Sequence, residues 1–150
     1  MHKKMLTNRN VLSIGKCIEK IYSDKSKKIA EKHNVSSLEI AILLFLHNNP
    51  DTDTARDFTD FAHMSKSCVS DAIDSLTKRG FLIGKQDEND RRYIHLVIQN
   101  LAKPLIDDAL VMQQEFFDIV LNGFDEGEAE MLDSLLDRVA DNIKKASKNL

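Results

Sequence analysis

The sequence predicts a mainly α-helical protein with one short β-hairpin. Apolar residues recur at every third or fourth position over most of the 150 residues, which is the period of a helix with one buried face. The five glycines and two prolines are too few for an all-β sandwich or barrel, which needs a turn about every ten residues. Between residues 81 and 98 the apolar period shortens to about two, which indicates a pair of strands.

Two helices are predicted in the first third of the chain. Residues 10–32 carry apolar side chains on one helical face and lysines on the other, and Asn34 follows as a stop signal. The second helix opens with Ser36 and Glu39, which have the spacing of a capping box. Residues 40–46 are apolar nearly all round, as expected for a central buried helix.

A short helix, a tight connection and a longer helix are predicted next. The short helix covers residues 54–61, and His63 lies in the connection. Ser65 is placed to cap the longer helix, which runs to residue 79. Gly80 follows where a left-handed helix terminator belongs. The inner face of the longer helix is predicted from apolar residues at helical spacing, namely Val69, Ala72, Ile73 and Leu76.

Two long helices complete the chain. The first covers residues 100–121, with Asn100 as its cap, and the second covers residues 125–150. Together with the first helix they carry more apolar surface than one small domain can cover, which favours a partner chain. We therefore predict a single domain over residues 1–150 that forms a homodimer through residues 1–34 and 99–150.

The β-hairpin is predicted from strands at residues 81–85 and 92–98, with a charged tip at residues 86–91 between them. Residues 36–98 then form a lobe with the outline of a winged helix-turn-helix. In such a lobe the second helix of the pair enters the major groove of DNA. The predicted fold class is thus mainly α with a small β-hairpin wing, flanked by long N- and C-terminal dimerisation helices.

The candidate DNA contacts lie at two places in this lobe. Hydroxyls and an ammonium group at the start of the second helix suit base edges and phosphates. An arginine at the hairpin tip suits the negative potential of the minor groove, and a nearby aspartate can hold it by a charge-assisted bond. The residues concerned are Ser65, Lys66, Ser67 and Ser70 on the helix, and Asp90, Arg91 and Arg92 on the tip.

These segments resemble the multiple-antibiotic-resistance-regulator (MarR) family of transcription regulators. The stretch at residues 56–82 has the family's Ser-Lys-Ser start of the recognition helix, followed by Val-Ser, a basic pair and Gly-Phe. Residues 87–96 are similar to the family's Asp-x-Arg wing, with Asp90 and Arg92 at the motif positions. One departure is Asp71, where the family often has a basic residue. An aspartate there repels phosphate or accepts a hydrogen bond from a cytosine amino group.

The resemblance implies a homodimer that binds a pseudo-palindromic operator in double-stranded DNA. It implies that Ser65, Lys66, Ser67 and Ser70 approach the major groove, and that Arg92, oriented by Asp90, reaches the minor groove. Members often release DNA when they meet a small aromatic or phenolic ligand, an oxidant or a metal. We therefore expect a sequence-specific regulator, in the first instance a repressor, released by a small aromatic effector or an oxidant.

Several residues have two interpretations. Cys17 lies on the apolar face of the first helix and is expected to be packed, although a redox sensor remains the alternative. Cys68 lies in the first turns of the recognition helix, where a lowered thiol pKa would make it a sensor, or it is simply a small packing residue. His63 and His95 are expected to be ordinary surface or core histidines. Aromatic side chains line an effector pocket or form plain core, namely Tyr22, Phe45, Phe58, Phe61, Phe116 and Phe117.

Other classes of protein are disfavoured. The sequence has no glycine-rich phosphate loop, no paired carboxylates in an apolar setting and no nucleophilic triad, so we expect no enzyme and no cofactor. No Cys/His pair has zinc-ligand spacing, so no metal site is expected. No apolar run approaches the ~18 residues of a membrane span, and the two distant cysteines suit a reducing compartment, so we expect a cytoplasmic protein.

A winged-helix protein-interaction module remains the alternative function. In that case Lys66 and Arg92 would contact a protein or nothing. The net charge of −3 is a poor match for indiscriminate nucleic-acid binding, although it leaves room for a specific site. The Asp-x-Arg wing, which protein binding does not need, is the feature that favours DNA.

Overall fold

A computed structural model describes residues 8–147, and it confirms the mainly helical class with a two-stranded hairpin. The described residues form two units, one that ends at Phe116 and one that begins at Phe117. The elements are α1 (Asn8–His33), α2 (Ser37–Asn48), α3 (Ala55–Ala62), α4 (Lys66–Lys78), β1 (Leu82–Gln86), β2 (Ile94–Ile98), a 3-10 turn (Asn100–Ala102), α5 (Lys103–Val120) and α6 (Glu126–Ser147).

Helix α2 lies at the centre of the first unit, as its sequence predicts. The Ser36 hydroxyl accepts a hydrogen bond from the Glu39 amide at 3.1 Å, and the Glu39 carboxylate accepts one from the Ser36 amide at 2.7 Å. This is the predicted capping box. The apolar run that follows is buried except at half-buried Ala41, and burying each large side chain stabilises the fold by about 1.5–3 kcal/mol. The core around it includes Ile40, Ile42, Leu43, Phe58, Val69, Leu76, Leu82 and Leu105.

The connection between α3 and α4 is set by local signals. Thr54 caps α3 by accepting a hydrogen bond from the Asp57 amide at 3.2 Å. His63 turns the chain with a left-handed backbone, φ 53°. The Ser65 hydroxyl then caps α4 by accepting from the Cys68 amide at 3.3 Å. The predicted inner face of α4 is confirmed, because its four apolar residues are all buried.

The end of α4 is a glycine terminator, as predicted. Gly80 has φ 76°, and the Phe81 amide donates to the Leu76 carbonyl at 2.9 Å across the left-handed turn. The Arg79 guanidinium donates hydrogen bonds to the carbonyls of His33 and Asn34, at 2.9 and 2.5 Å. Helix α4 is thereby tied to the C-terminal end of α1.

The hairpin pairs antiparallel from Leu82 opposite Ile98 to Gln86 opposite Ile94. The return strand begins two residues later than the sequence predicts. The reason is a turn at the tip, in which the Tyr93 amide donates to the Asp90 carbonyl at 3.0 Å and the Asp87 amide donates to the Tyr93 carbonyl at 2.9 Å. The turn bond commits the Tyr93 amide to Asp90, so the strand pairing ends at Ile94 and the tip extends over residues 87–93.

The start of α5 differs from the prediction. Asn100 does not cap the helix but lies within the 3-10 turn, and the residue before that turn, Gln99, makes no side-chain cap bond. The Gln99 side chain donates instead to the Val97 carbonyl at 3.0 Å. Helix α5 then contributes buried residues to the core of the first unit, among them Leu105 and Ala109, each 1% exposed. Residues 36–98 therefore share their core with α5.

Apolar side chains remain exposed on all three long helices, and on α5 they are Val111, Phe117 and Ile119. Residues 10–20 of α1 are exposed throughout, including Val11, Leu12 and Ile14. Cys17 lies in this stretch and is exposed, so the expectation of a packed thiol is wrong for the single chain. Within the second unit, α6 has no buried residue. Its exposed apolar residues are Met131, Leu135, Leu136, Val139 and Ile143.

Among residues 8–147, no helix combines the length and the apolar character that crossing a membrane requires.

Candidate nucleic-acid interface

The outward face of α4 has the composition predicted for a recognition surface. Lys66, Ser67 and Ser70 are exposed in its first two turns, while the opposite face is packed into the core. Ser65 is exposed too, but its oxygen already accepts the capping hydrogen bond from Cys68. Its hydroxyl group can still donate a hydrogen bond to a ligand. Ser65 therefore caps α4 in addition to its predicted role as a DNA contact.

Two acidic residues share this face. Asp71 and Asp74 are exposed one and two turns after the serines. Asp74 and Lys78 have the i,i+4 spacing of a helix ion pair, but they form none within the described residues. The recognition surface of α4 therefore combines hydroxyls and a lysine at its start with carboxylates further along. The carboxylates of Asp71 and Asp74 would repel a phosphate group that approaches the middle of α4.

Arginine 92 is exposed at the wing but held in place by Asp90. Its Nε lies 3.0 Å from Asp90 Oδ1, and its Nη2 lies 2.8 Å from Oδ2. The Arg92 amide also donates to Asp90 Oδ1 at 3.1 Å. The guanidinium lowers the pKa of Asp90, and the carboxylate in turn raises the pKa of Arg92. The predicted charge-assisted bond is present, which presents the guanidinium in a set direction.

Arg91, the remaining predicted DNA contact at the tip, is exposed. Its backbone carbonyl accepts a hydrogen bond from the Gln86 side chain at 2.9 Å, which fixes the backbone of the tip.

The base of the wing contains a bridge that sequence reasoning missed. His95 Nδ1 lies 2.6 Å from Asp53 Oδ1, and His95 Nε2 lies 2.8 Å from Asp87 Oδ2. The hydrogen bonds from Asp53 and Asp87 raise the pKa of His95, and the bond with His95 lowers the pKa of Asp87 to about 2. The expectation of an ordinary histidine is therefore wrong. Asp87 is near His95 by virtue of the hairpin, but no local signal points to Asp53, 42 residues away.

Arg56 is the second functional candidate that the sequence did not single out. It lies in the first turn of α3 with its side chain 76% exposed. It lines a cleft of about 400 Å³ together with Arg92 and Tyr93 of the wing. It also lines a cleft of about 610 Å³ with Lys66 and Ser70 of α4. Arg56 thus lies between the two groups of predicted DNA contacts. The one sequence feature that could have identified it is its positive charge in the first turn of α3.

The aromatic residues proposed for an effector pocket form two separate clusters. Phe45 packs on Phe58 and Phe61, with ring centroids 5.4 and 4.9 Å away. Tyr22 packs edge-on against Phe116 at 5.4 Å. Phe117 is exposed in the second unit. Within the described residues of one chain, Phe45, Phe58 and Phe61 pack together, as do Tyr22 and Phe116.

Within the described part of the chain, no group of three or more His, Cys, Asp or Glu side chains is arranged to hold a metal ion.

One family model matches the part of the chain that contains the helix-turn-helix and most of the wing. Residues 33–92 match the family model described as the MarR family. Over these residues the chain is similar to MarR proteins. The resemblance drawn from the recognition helix and the wing is thereby confirmed, and MarR proteins are transcription regulators rather than enzymes. A search of curated proteins found no match.

Solved structures extend the MarR fold beyond the matched segment. A MarR protein from Peptoclostridium difficile superposes with a TM-score of 0.75 at 18% identity, over 97% of this chain and 94% of that one. A MarR-family regulator from Listeria monocytogenes, complexed with a 26mer DNA, gives a TM-score of 0.76 at 22% identity, over 91% and 89%. The MepR–DNA complex of S. aureus gives 0.72 at 13%, over 94% and 99%. The winged-helix fold with N- and C-terminal helices is thus confirmed.

Proposed function

We propose that this MarR-type chain is a sequence-specific, DNA-binding transcription regulator. The observation that carries the proposal is the pairing of an exposed polar start of α4 with a wing whose Arg92 is exposed yet fixed by Asp90. The Listeria monocytogenes and S. aureus relatives that were crystallised with DNA support it. A regulator of this kind acts where the chromosome is, which agrees with the cytoplasmic location expected from the sequence.

Each half of the surface has its own task in this proposal. Lys66, Ser67 and Ser70 meet base edges and phosphates in the major groove, while the Ser65 hydroxyl donates to a phosphate. Arg92 enters the minor groove, where negative potential attracts a guanidinium. Arg91 neutralises the phosphate backbone beside it. A basic group that neutralises a phosphate releases counterions, so each such contact makes binding more sensitive to salt.

The proposed assembly is a homodimer that binds a pseudo-palindromic operator. Two observations support a second copy. The first half of α1 exposes Val11, Leu12 and Ile14, and α6 exposes apolar residues along its whole length without burying any residue. An isolated amphipathic helix is marginal in water, because helix stability in proteins comes mainly from packing the apolar face. A two-fold dimer presents its two recognition helices to successive major grooves, about one DNA turn apart.

The proposed regulation is repression that a small effector or an oxidant relieves. An effector that binds one arrangement of the two recognition helices better than the other shifts the population away from the DNA-bound state. A small aromatic ligand is the effector class that the family resemblance suggests. Two exposed thiols are accessible to an oxidant, Cys17 on α1 and Cys68 in the first turn of α4. Oxidation of Cys68 would place a bulky polar group on the proposed DNA surface.

A protein-interaction module is the second candidate function. The observation that favours it is the acidic part of α4, where exposed Asp71 and Asp74 repel phosphates. In this function the recognition surface binds a basic protein partner instead of a duplex.

Fluorescence anisotropy separates the two functions. The full chain is titrated against short duplexes from the region upstream of its own gene and against unrelated duplexes, at two salt concentrations. We expect selective binding that weakens steeply with salt, and weaker binding by Lys66→Ala but not by Lys27→Ala, an exposed lysine on α1. Weak binding that is equal for all duplexes would contradict DNA regulation and favour the protein-interaction module.

A further inference from the structure

We propose that His95 is a positioning residue of the wing. By bridging Asp53 and Asp87, it fixes the position of the wing relative to the start of α3. The inference rests on the proposed function, since the wing residue that it positions is the DNA-contacting Arg92. His95 itself touches no DNA in this proposal. It acts through two carboxylates on opposite sides of its ring.

The geometry of the bridge requires a charged imidazole. Carboxylates accept hydrogen bonds and cannot donate them when ionised. Asp53 Oδ1 is 2.6 Å from Nδ1 and Asp87 Oδ2 is 2.8 Å from Nε2, so both ring nitrogens must carry a proton to satisfy both bonds. A neutral ring would turn a lone pair toward one of the two carboxylates. One bond would then be lost and the wing would be attached on one side only.

Asp53 connects the bridge to the helix-turn-helix. It lies immediately before Thr54, the residue that caps α3, and α3 packs on α4. Its backbone carbonyl accepts a hydrogen bond from the Leu96 amide at 2.8 Å. Asp53 thus holds β2 twice, once through the main chain at Leu96 and once through the side chain at His95.

Asp87 connects the bridge to the tip of the wing. While Oδ2 faces His95, Oδ1 accepts hydrogen bonds from the Asn89 and Asp90 amides, both at 2.8 Å. Asp90 in turn holds the Arg92 guanidinium. An unbroken path of hydrogen bonds therefore leads from the residue before α3 to the arginine at the wing. This path is the reason why loss of His95 should reach Arg92.

The charged surroundings of His95 set the pH range of the bridge. Lys85 is its partner across the hairpin, and α2, which also contacts β2, has Glu39 and His47 as titratable residues. The groups that raise the pKa of His95 above 6.5 are Asp53 and Asp87. The pKa of Asp87 is lowered to about 2, so this carboxylate stays ionised throughout the usual working range. The bridge is complete below the raised pKa of His95 while both carboxylates are ionised, and it is lost as pH rises through that pKa.

A double-mutant cycle on DNA binding tests the inference. The variants are His95→Gln, Arg92→Ala and the double variant, with His33→Gln as the matched control. His33 also pairs with a carboxylate, Asp108, at 2.6 Å, but it lies on α1. We expect His95→Gln to weaken binding about three- to tenfold near neutral pH. In the Arg92→Ala background we expect His95→Gln to have almost no effect, which a merely structural role would not produce. Additive effects of the two substitutions would overturn the proposal.

An NMR titration of the free protein provides a second readout that does not depend on DNA. We expect the amide signals of Asn89, Asp90 and Arg92 to titrate together with the His95 ring in the wild type and in His33→Gln, and not in His95→Gln. Wing amides that ignore the His95 titration would overturn the bridge. Failure of the wild type to bind any duplex would overturn the proposed function, whereas wild-type binding that His95→Gln retains in full would overturn the positioning role alone.

Discussion

Arg92 and Asp90 form a bidentate pair at the tip of the wing, with Arg92 Nη2 2.8 Å from Asp90 Oδ2 and Arg92 Nε 3.0 Å from Oδ1. The Arg92 side chain is nevertheless 87% exposed. An exposed arginine normally samples many rotamers, and ordering it on binding costs free energy. The pair removes part of that cost before DNA arrives, because the guanidinium already points in one direction.

Removing Arg92 should weaken DNA binding. We expect Arg92→Ala to raise the dissociation constant about tenfold to a hundredfold, the scale of one good groove contact. Anisotropy titration with the preferred duplex measures this, and Lys27→Ala serves as the control for loss of one positive charge. An unchanged affinity for Arg92→Ala would remove the wing from the account.

Removing Asp90 should also weaken binding, although it removes a negative charge from a surface that meets DNA. We expect Asp90→Ala to lose affinity because Arg92 is no longer oriented. The matched control is Glu88→Ala, an exposed acidic residue on the same tip. We expect this control to bind as tightly as the wild type or more tightly, because repulsion of phosphate is reduced. Equal gains in affinity for both variants would show that Asp90 acts through its charge alone.

The cap of α4 should contribute to stability. We expect Ser65→Ala to lower the free energy of unfolding by about 1 kcal/mol, because the Cys68 amide loses its acceptor. Urea unfolding measures the difference. Ser67→Ala is the control, since Ser67 is exposed on the same turn and does not cap the helix. The capping role is contradicted if the two variants unfold at the same urea concentration.

We expect the exposed apolar face of α6 to form part of the dimer interface. Leu136 is 57% exposed in the single chain, so Leu136→Ala should cost a monomer less than about 0.5 kcal/mol. In a dimer that buries this face we expect the substitution to raise the monomer–dimer dissociation constant at least several-fold. Sedimentation equilibrium measures this, with Asp137→Ala as a control on the same helix. A wild-type chain that stays monomeric at micromolar concentration would contradict the assembly.

The elements set by local signals were predictable from sequence. Ser36 with Glu39, Ser65 and Gly80 each act within one helical turn, and all three predictions are confirmed. The Asp90–Arg92 pair was predictable for the same reason, since its members are two residues apart. Short separation makes such contacts a property of the segment rather than of the fold.

Features that depend on tertiary structure were missed. The pairing of Asp53 with His95 spans 42 positions and needs the hairpin to be docked beside α3 before the two residues meet. The late start of β2 follows from the turn between Asp90 and Tyr93, which the alternating apolar pattern does not reveal. Cys17 is exposed because no described residue of the chain packs over residues 10–20 of α1, which the helical pattern of that segment does not reveal.

Selection of duplexes from a random pool, followed by sequencing, tests the central claim most directly. The full chain is incubated with the pool, bound duplexes are recovered and amplified, and the cycle is repeated. A dimeric winged-helix regulator should enrich an inverted repeat whose half-site centres are about 10 base pairs or a multiple of that apart. A pool that shows no enriched sequence after repeated selection would contradict sequence-specific DNA binding by this protein.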